Sequence, residues 1–271
     1  MAITNFKEKL LIFLDSVLGG QTNVDTIYYD MTSLEIAMIY GDSDDFDNLM
    51  NLKPKLHVKD PYISSPFFVS IYSRNSHYLE SFLKAGVDPN AYNTKGETAL
   101  SFACYNGNYA GIELLLKYGA DVNLKDTDEF GNSPLHSAVD NSSADIVELF
   151  LNKGADPNSL NINGYCPLSF LSLNPFDDVI FDLLIHYGAN INNINSTKET
   201  TILFFVVKLG FAEIAEKMLN CDADFTIPDK KGRTLLHYAF QNNYRDIVNL
   251  ITKRMLPENH QTRVSCKRQR T

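Results

Sequence analysis

This 271-residue chain has no tryptophan and only 4 cysteines. Cys104, Cys166, Cys221 and Cys266 lie far apart and form no Cys-x-x-Cys pair, which suits a reducing compartment better than a disulfide scaffold. No apolar run approaches the roughly 18 residues that a membrane-spanning helix needs. Near the start, Leu10-Leu11-Ile12-Phe13-Leu14 follows Lys7 and Lys9, but Asp15 ends the run too early for a secretion signal. Positive charge is the minority sign. With 24 Lys and Arg against 33 Asp and Glu the net charge is −9, so a phosphate backbone is repelled and nucleic acid is not an expected partner. Glycine-rich phosphate loops, GxGxxG turns and GxSxG elbows are all missing.

What is present is ordinary in amount and unusual in order. Hydrophobic residues make up 44% and charged residues 21%, enough to build a core and too little charge for a disordered chain. At roughly 100–200 residues per domain, the length allows one elongated domain or two compact ones. Residues 1–30 are expected to form an amphipathic capping helix, from about Thr4 to Leu18, stopped by Gly19-Gly20.

The order is periodic. Gly86-Val87-Asp88-Pro89-Asn90 is followed by Gly119-Ala120-Asp121-Val122-Asn123, and the closing asparagines are 33 apart. Gly154-Ala155-Asp156-Pro157-Asn158 comes next, then Gly188-Ala189-Asn190-Ile191-Asn192, then the weaker Asp222-Ala223-Asp224. A second landmark runs in phase with the first. Ser133-Pro134-Leu135-His136-Ser137-Ala138 and Thr234-Leu235-Leu236-His237-Tyr238-Ala239 are its best copies. The distances Ser65 to Gly86, Thr98 to Gly119 and Ser133 to Gly154 are each 21 residues, and only Cys166 to Gly188, at 22, departs. Two landmarks locked in phase over several copies do not arise by chance.

This pattern resembles the ankyrin repeat: T-P-L-H-x-A, a closing G-A-D-x-N and a period near 33. The resemblance covers residues 31–256, about seven repeats, weakest in the first and the sixth. It implies an all-α solenoid of helix-turn-helix units joined by extended fingers. The third unit reads accordingly. Thr98 caps the first helix, Ala103 lets neighbours approach, and Gly107 and Asn108 turn the chain. Ile112, Leu115 and Leu116 form the buried stripe, and Gly119 takes the left-handed place after the second helix. One such unit cannot bury its own apolar face, so stacking and end caps are required.

No catalytic set emerges. The family pattern makes His136 and His237 structural, each ring bonding to backbone in the adjoining loop. Cys166 stands where a capping Ser or Thr is usual, a small buried substitute. Asp44-Asp45 and Asp177-Asp178 fall at turns or helix starts, where carboxylates favour the helix dipole. Neither cofactor, metal nor enzymatic activity is expected.

Recognition is expected on the concave face that the resemblance implies. Counting from each capping residue, the fourth position holds Ile36, Val69, Phe102, Ser137, Phe170, Phe205 and Tyr238. The seventh holds Ile39, Tyr72, Tyr105, Asp140, Leu173, Lys208 and Gln241. Tyr72 and Tyr105 are expected to stack in register beside Phe102, with Asn106, Asn141 and Asn174 as an amide ladder next to Asp140, and with Lys208 further along. Such aromatics suit a protein-binding surface, although the fourth-position rings also fit a purely packing role. The fingers add Lys95, Glu97, Asp128, Glu129, Lys198, Glu199, Lys230, Lys231 and Arg233, and the finger from Leu124 to Asn132 is two residues longer than its neighbours. The resemblance also implies that Leu115, Asp121, Val122 and Asn123 match the spacing favoured by asparaginyl hydroxylases, which makes Asn123 either a hydroxylation site or a plain turn residue.

The expected function is a non-catalytic interaction module, a monomer that binds a partner protein and neither membrane nor nucleic acid. An Asn-, Ile- and Tyr-rich vocabulary suggests a pathogen- or virus-encoded factor that engages a host protein. The alternatives are a regulatory or inhibitory subunit of a larger complex, or a solenoid with a small-molecule or catalytic site. The expected compartment is the cytoplasm, of the host for a viral or secreted factor. Residues 257–271 read as a flexible basic tail, in which Lys267-Arg268-Gln269-Arg270 is either a nuclear-import signal or a solvated end.

Overall fold

The computed structural model describes residues 2–56, 65–171, 176–195 and 200–255, with side chains from residue 7 onward. They fall into two compact units, the first ending at Asp128 and the second beginning at Glu129. Leu173, Asn174, Lys198, Glu199 and the basic tail lie outside the described residues.

The first unit holds α1 (Ala2–Leu18) and three helix pairs: α2 (Ser33–Tyr40) with α3 (Ser43–Asn51), α4 (Pro66–Tyr72) with α5 (Ser76–Lys84), and α6 (Ala99–Tyr105) with α7 (Tyr109–Lys117). Helices this short have little stability of their own, so their ends are built with care. Thr32 and Glu35 form a reciprocal capping box: the Thr32 hydroxyl accepts from the Glu35 N–H at 3.2 Å, and the Glu35 carboxylate accepts from the Thr32 N–H at 2.7 Å. Asp42 and Asp45 repeat the device at α3. At α6 the Thr98 hydroxyl accepts from the Ser101 N–H at 3.2 Å.

Asn108 has two tasks. Its Oδ1 accepts from the Gly111 N–H at 2.9 Å and caps α7, while its Nδ2 donates to the Ile71 carbonyl of the preceding pair at 2.7 Å. Gly111 leaves room for that amide, because a Cβ there would lie 2.6 Å from Nδ2. After α7 the chain reverses at Gly119, whose φ of +91° suits glycine. Phe46, Phe67, Phe82, Leu49, Ile71 and Leu79 fill the core and are fully buried; each contributes about 1.5–3 kcal/mol by leaving water. On α1, Leu10, Leu14 and Val17 are buried, and Phe13 stacks on Tyr28 at 4.6 Å.

The second unit holds four more pairs: α8 (Pro134–Asp140) with α9 (Ala144–Asn152), α10 (Pro167–Phe170) with α11 (Asp178–His186), α12 (Ile202–Leu209) with α13 (Ala212–Asn220), and α14 (Leu235–Gln241) with α15 (Arg245–Met255). Two short antiparallel strands, β1 (Ile194–Asn195) and β2 (Thr200–Thr201), pair Ile194 with Thr201 ahead of α12. Pro134 and Pro167 open their helices at the first position, where a missing N–H costs nothing. Asp177 caps α11, its carboxylate accepting from the Val179 and Ile180 N–H groups. Asp222 adopts φ +64°, a left-handed turn where the second to fifth copies carry Gly86, Gly119, Gly154 and Gly188. A short polar side chain tolerates that conformation better than a bulky one, so the sixth copy keeps its turn without the usual residue.

The closing asparagines stitch neighbouring repeats. Asn90 Oδ1 accepts from the Asp121 N–H at 2.8 Å, Asn158 Oδ1 from the Asn190 N–H at 2.7 Å and Asn192 Oδ1 from the Asp224 N–H at 2.7 Å. His136 ties its repeat to the next finger. Its Nδ1 accepts from the Ser133 N–H at 3.1 Å, and its Nε2 donates to the Tyr165 carbonyl at 3.0 Å. His237 does not repeat this. Its backbone N–H caps on Thr234, its ring is exposed beside Tyr238, and the residues after α15 lie outside the described range.

Candidate partner-binding surface

In the first unit the first helices of successive repeats, α2, α4 and α6, pack side by side. Their seventh positions point outward: Ile39 is 52% exposed, Tyr72 68% and Tyr105 40%. A helix of seven or eight residues buries one side against its partner, and the last turn of its outer side is what remains for water. Phe102, one turn before Tyr105, is half-buried and meets Phe68 edge-on at 5.4 Å. It therefore packs as well as faces outward. Phe170, at the same position of α10, is buried against the His136 ring at 5.4 Å.

The amide ladder is differently employed. Asn106 Nδ2 donates back to the Phe102 carbonyl at 2.7 Å and closes the end of its own helix, and Asn242 does the same to the Tyr238 carbonyl at 2.9 Å. Asn106 and Asn242, each eight residues past its capping threonine, thus end their helices, a local task that their spacing in the sequence did not reveal. The Asn106 carbonyl also accepts from the Arg74 guanidinium. Asp140 and Asn141 are both exposed at the end of α8, in the second unit. Asn123 is exposed, and its N–H bonds to Asp121 Oδ1 at 2.8 Å within its own turn.

The second unit carries a pocket of about 210 Å³ at the same helix positions. Phe205 and Lys208 of α12, Tyr238 of α14 and the finger residues Asp229, Lys230 and Arg233 line it. Asp229 is 7% exposed. Its Oδ1 accepts from the Lys231 and Arg233 N–H groups at 2.9 and 2.8 Å, and its Oδ2 from Arg233 Nε and Nη2 at 2.9 and 2.7 Å. Loss of hydration works to raise this carboxyl's pKa, but the Arg233 guanidinium, the turn N–H groups and the Tyr238 hydroxyl outweigh it and hold it well below the usual range. The guanidinium also lies over the Tyr238 ring, 4.6 Å from its centre. Arg233, expected as an outward finger contact, is thus tied to Asp229 within its own finger. Lys208 and Lys230 are exposed.

A further buried acid was not singled out from the sequence. Asp126 is 5% exposed, accepts from the Thr98 N–H at 2.8 Å through Oδ1, and has no hydrogen-bond partner for Oδ2. Burial pushes its carboxyl up to about 6 against the weaker pull of the Thr98 N–H and the nearby Ser101 and Thr98 hydroxyls. The available signal was positional: Asn93, Asp126, Asn161, Asn195 and Asp229 each follow the Asp or Asn of the closing triplet by five residues.

Among the described residues no His, Cys, Asp and Glu cluster could hold a metal ion, and no helix is long and apolar enough to cross a membrane. A family model for ankyrin repeats (3 copies) matches residues 34–126, 67–161, 123–195 and 168–261. An ankyrin repeat protein of Acanthamoeba polyphaga mimivirus is 29% identical over 177 residues, 65% of this chain and 23% of that protein. One from fowlpox virus is 28% identical over 160 residues, 58% of this chain and 47% of its own length. The chain thus spans about a quarter of the one relative and about half of the other. Among solved structures, the ankyrin repeat domain of Bcl-3, of the IkappaB protein family, aligns with a TM-score of 0.73 at 23% identity, covering 82% of this chain and 98% of that domain.

Proposed function

The chain belongs to the ankyrin-repeat family, and from that premise we propose that it is a non-catalytic module that grips a partner protein with the outward positions of its first helices and with its finger loops. The observation that carries this reading is the exposed row Ile39, Tyr72 and Tyr105 on three helices packed side by side. Large aromatics left in water on a rigid scaffold gain most when a partner covers them, and tyrosine is enriched among the residues that dominate binding energy. Helix ends held by capping boxes and repeat-to-repeat asparagines support the same reading, because a surface ordered in advance loses little entropy on binding. Viral relatives support a pathogen-encoded factor that engages a host protein in the cytoplasm.

Capture of partner proteins from cell lysate tests this. The wild-type chain is expected to retain a protein that the Tyr72→Ala/Tyr105→Ala variant loses, with both chains giving the same helical signal. A double variant that keeps every partner overturns the assignment of the surface. Mass analysis of the chain purified from animal cells decides the separate proposal that Asn123 is hydroxylated; a peptide of unmodified mass removes it.

A further inference from the structure

The pocket on the second unit is rich in positive charge for an acidic chain. Three cations, Lys208, Lys230 and Arg233, line it with one carboxylate, Asp229, in a chain whose net charge is −9. That carboxylate is already held by the Arg233 guanidinium and two turn N–H groups, so it has little left to offer the two lysines. Among the described residues neither Lys208 nor Lys230 forms an ion pair, as the pairs that do form involve Lys55, Lys84, Lys117, Lys217, His77 and Arg233. The wall is aromatic: Phe204 meets Tyr238 edge-on at 4.9 Å. The volume, about 210 Å³, falls short of the ~300–1,000 Å³ that encloses a whole small ligand and suits a single side chain.

We infer that this pocket takes a carboxylate side chain, Asp or Glu, from an acidic segment of the partner protein. The inference rests on the proposed partner-binding surface and deepens it. An entering carboxylate meets two ammonium groups that no acid of the described chain neutralises, and its methylenes lie against the rings. Arg233 fixes Asp229, and so keeps that acid from answering the lysines. Complementarity of this kind fixes register and speeds encounter, so the interaction weakens with salt.

Fluorescence anisotropy of the full chain with short labelled peptides tests it, using a peptide of alternating Glu and Ala, its Gln counterpart and its phosphoserine counterpart. The Glu peptide is expected to bind and the Gln peptide to fail. Lys208→Glu/Lys230→Glu is expected to weaken the Glu peptide at least ~10-fold. Lys9→Glu/Lys153→Glu makes the same change in total charge at two residues that do not line the pocket and leaves that affinity in place. Absence of Glu-peptide binding, equal loss in both double variants, or binding of the phosphoserine peptide alone overturns the inference. The lysate capture separates its failure from that of the wider reading. If Tyr72→Ala/Tyr105→Ala loses the partner while Lys208→Glu/Lys230→Glu keeps it, the pocket assignment falls and the surface stands. If both variants keep every partner, the surface itself is misplaced.

Discussion

Asp126 and Asp229 occupy one position of the repeat, five residues past Asp121 and Asp224, and they are buried alike, at 5% and 7% exposure. Their chemistry is opposite. Asp229 meets a guanidinium, two turn N–H groups and a tyrosine hydroxyl, and its carboxyl stays below the ordinary range. Asp126 keeps one backbone donor, leaves Oδ2 without a partner, and its carboxyl rises to about 6. Burial sets the stakes in both places, and the supply of donors decides the sign. The amides at the same position, Asn161 and Asn195, also donate: Asn161 Nδ2 to Asn132 Oδ1 at 2.8 Å and Asn195 Nδ2 to the Asn163 carbonyl at 3.2 Å, while Asn161 Oδ1 accepts from the Asn163 and Tyr165 N–H groups at 3.0 Å each, as Asp229 Oδ1 does in its own turn.

The comparison breaks most severely at its better-supplied end. Asp229→Ala leaves the Arg233 guanidinium and two turn N–H groups without an acceptor, and it is expected to lower Tm by several degrees, the largest loss of the set, in a thermal melt followed by circular dichroism. A Tm equal to that of wild type would mean that water serves the finger equally well.

The Asp126 end sharpens it through pH. The folded carboxyl, at about 6, lies above its unfolded value, so the folded state binds the proton more tightly. Stability from this group is therefore fully present below the unfolded value and is lost as pH rises through about 6. The difference between pH 4.5 and 7.5 is about 2 kcal/mol. Asp126→Asn keeps the acceptor for the Thr98 N–H and removes the charge. Urea titrations across that range should show the variant more stable than wild type at pH 7.5 by about 1 kcal/mol and without the extra slope. Parallel profiles for the two chains would contradict the assignment.

The smallest effect is expected at a solvent-facing acid. Glu80 pairs with Lys117 at 3.1 Å and Lys84 at 3.3 Å, and these cations, Lys117 foremost, lower its carboxyl. Water already solvates this cluster, so Glu80→Gln should shift Tm within the error of the melt. A loss comparable to that of Asp229→Ala would show that pairing matters independently of burial.

Much of the fold was legible in the sequence because it is local. Capping residues such as Thr98, the proline that opens α8 and the glycine at Gly119 act on their own turn of chain, so their order along the sequence is their order in space. The site was legible only in outline. Spacing placed Tyr72 and Tyr105 at one position, but their exposure depends on what α4 and α6 bury. The same counting made a ladder of Asn106, which the structure uses to end a helix, and an outward contact of Arg233, which the structure ties to Asp229. The Arg233 pairing is four residues long and could have been suspected from its spacing; the Thr98–Asp126 contact spans 28 residues and gave no such sign.

The amino-acid order alone fixes a short helical unit, copied at a constant period with matched starts and stops, because helix capping and chain reversal need only neighbouring residues. Packing decides the rest: which side of each helix keeps its aromatics in water, which buried acid finds a cation, and where two lysines are left facing a hollow. Apart from the Asp229–Arg233 pair within one finger, those outcomes depend on groups brought from other repeats, and their distances exist only once the chain is folded.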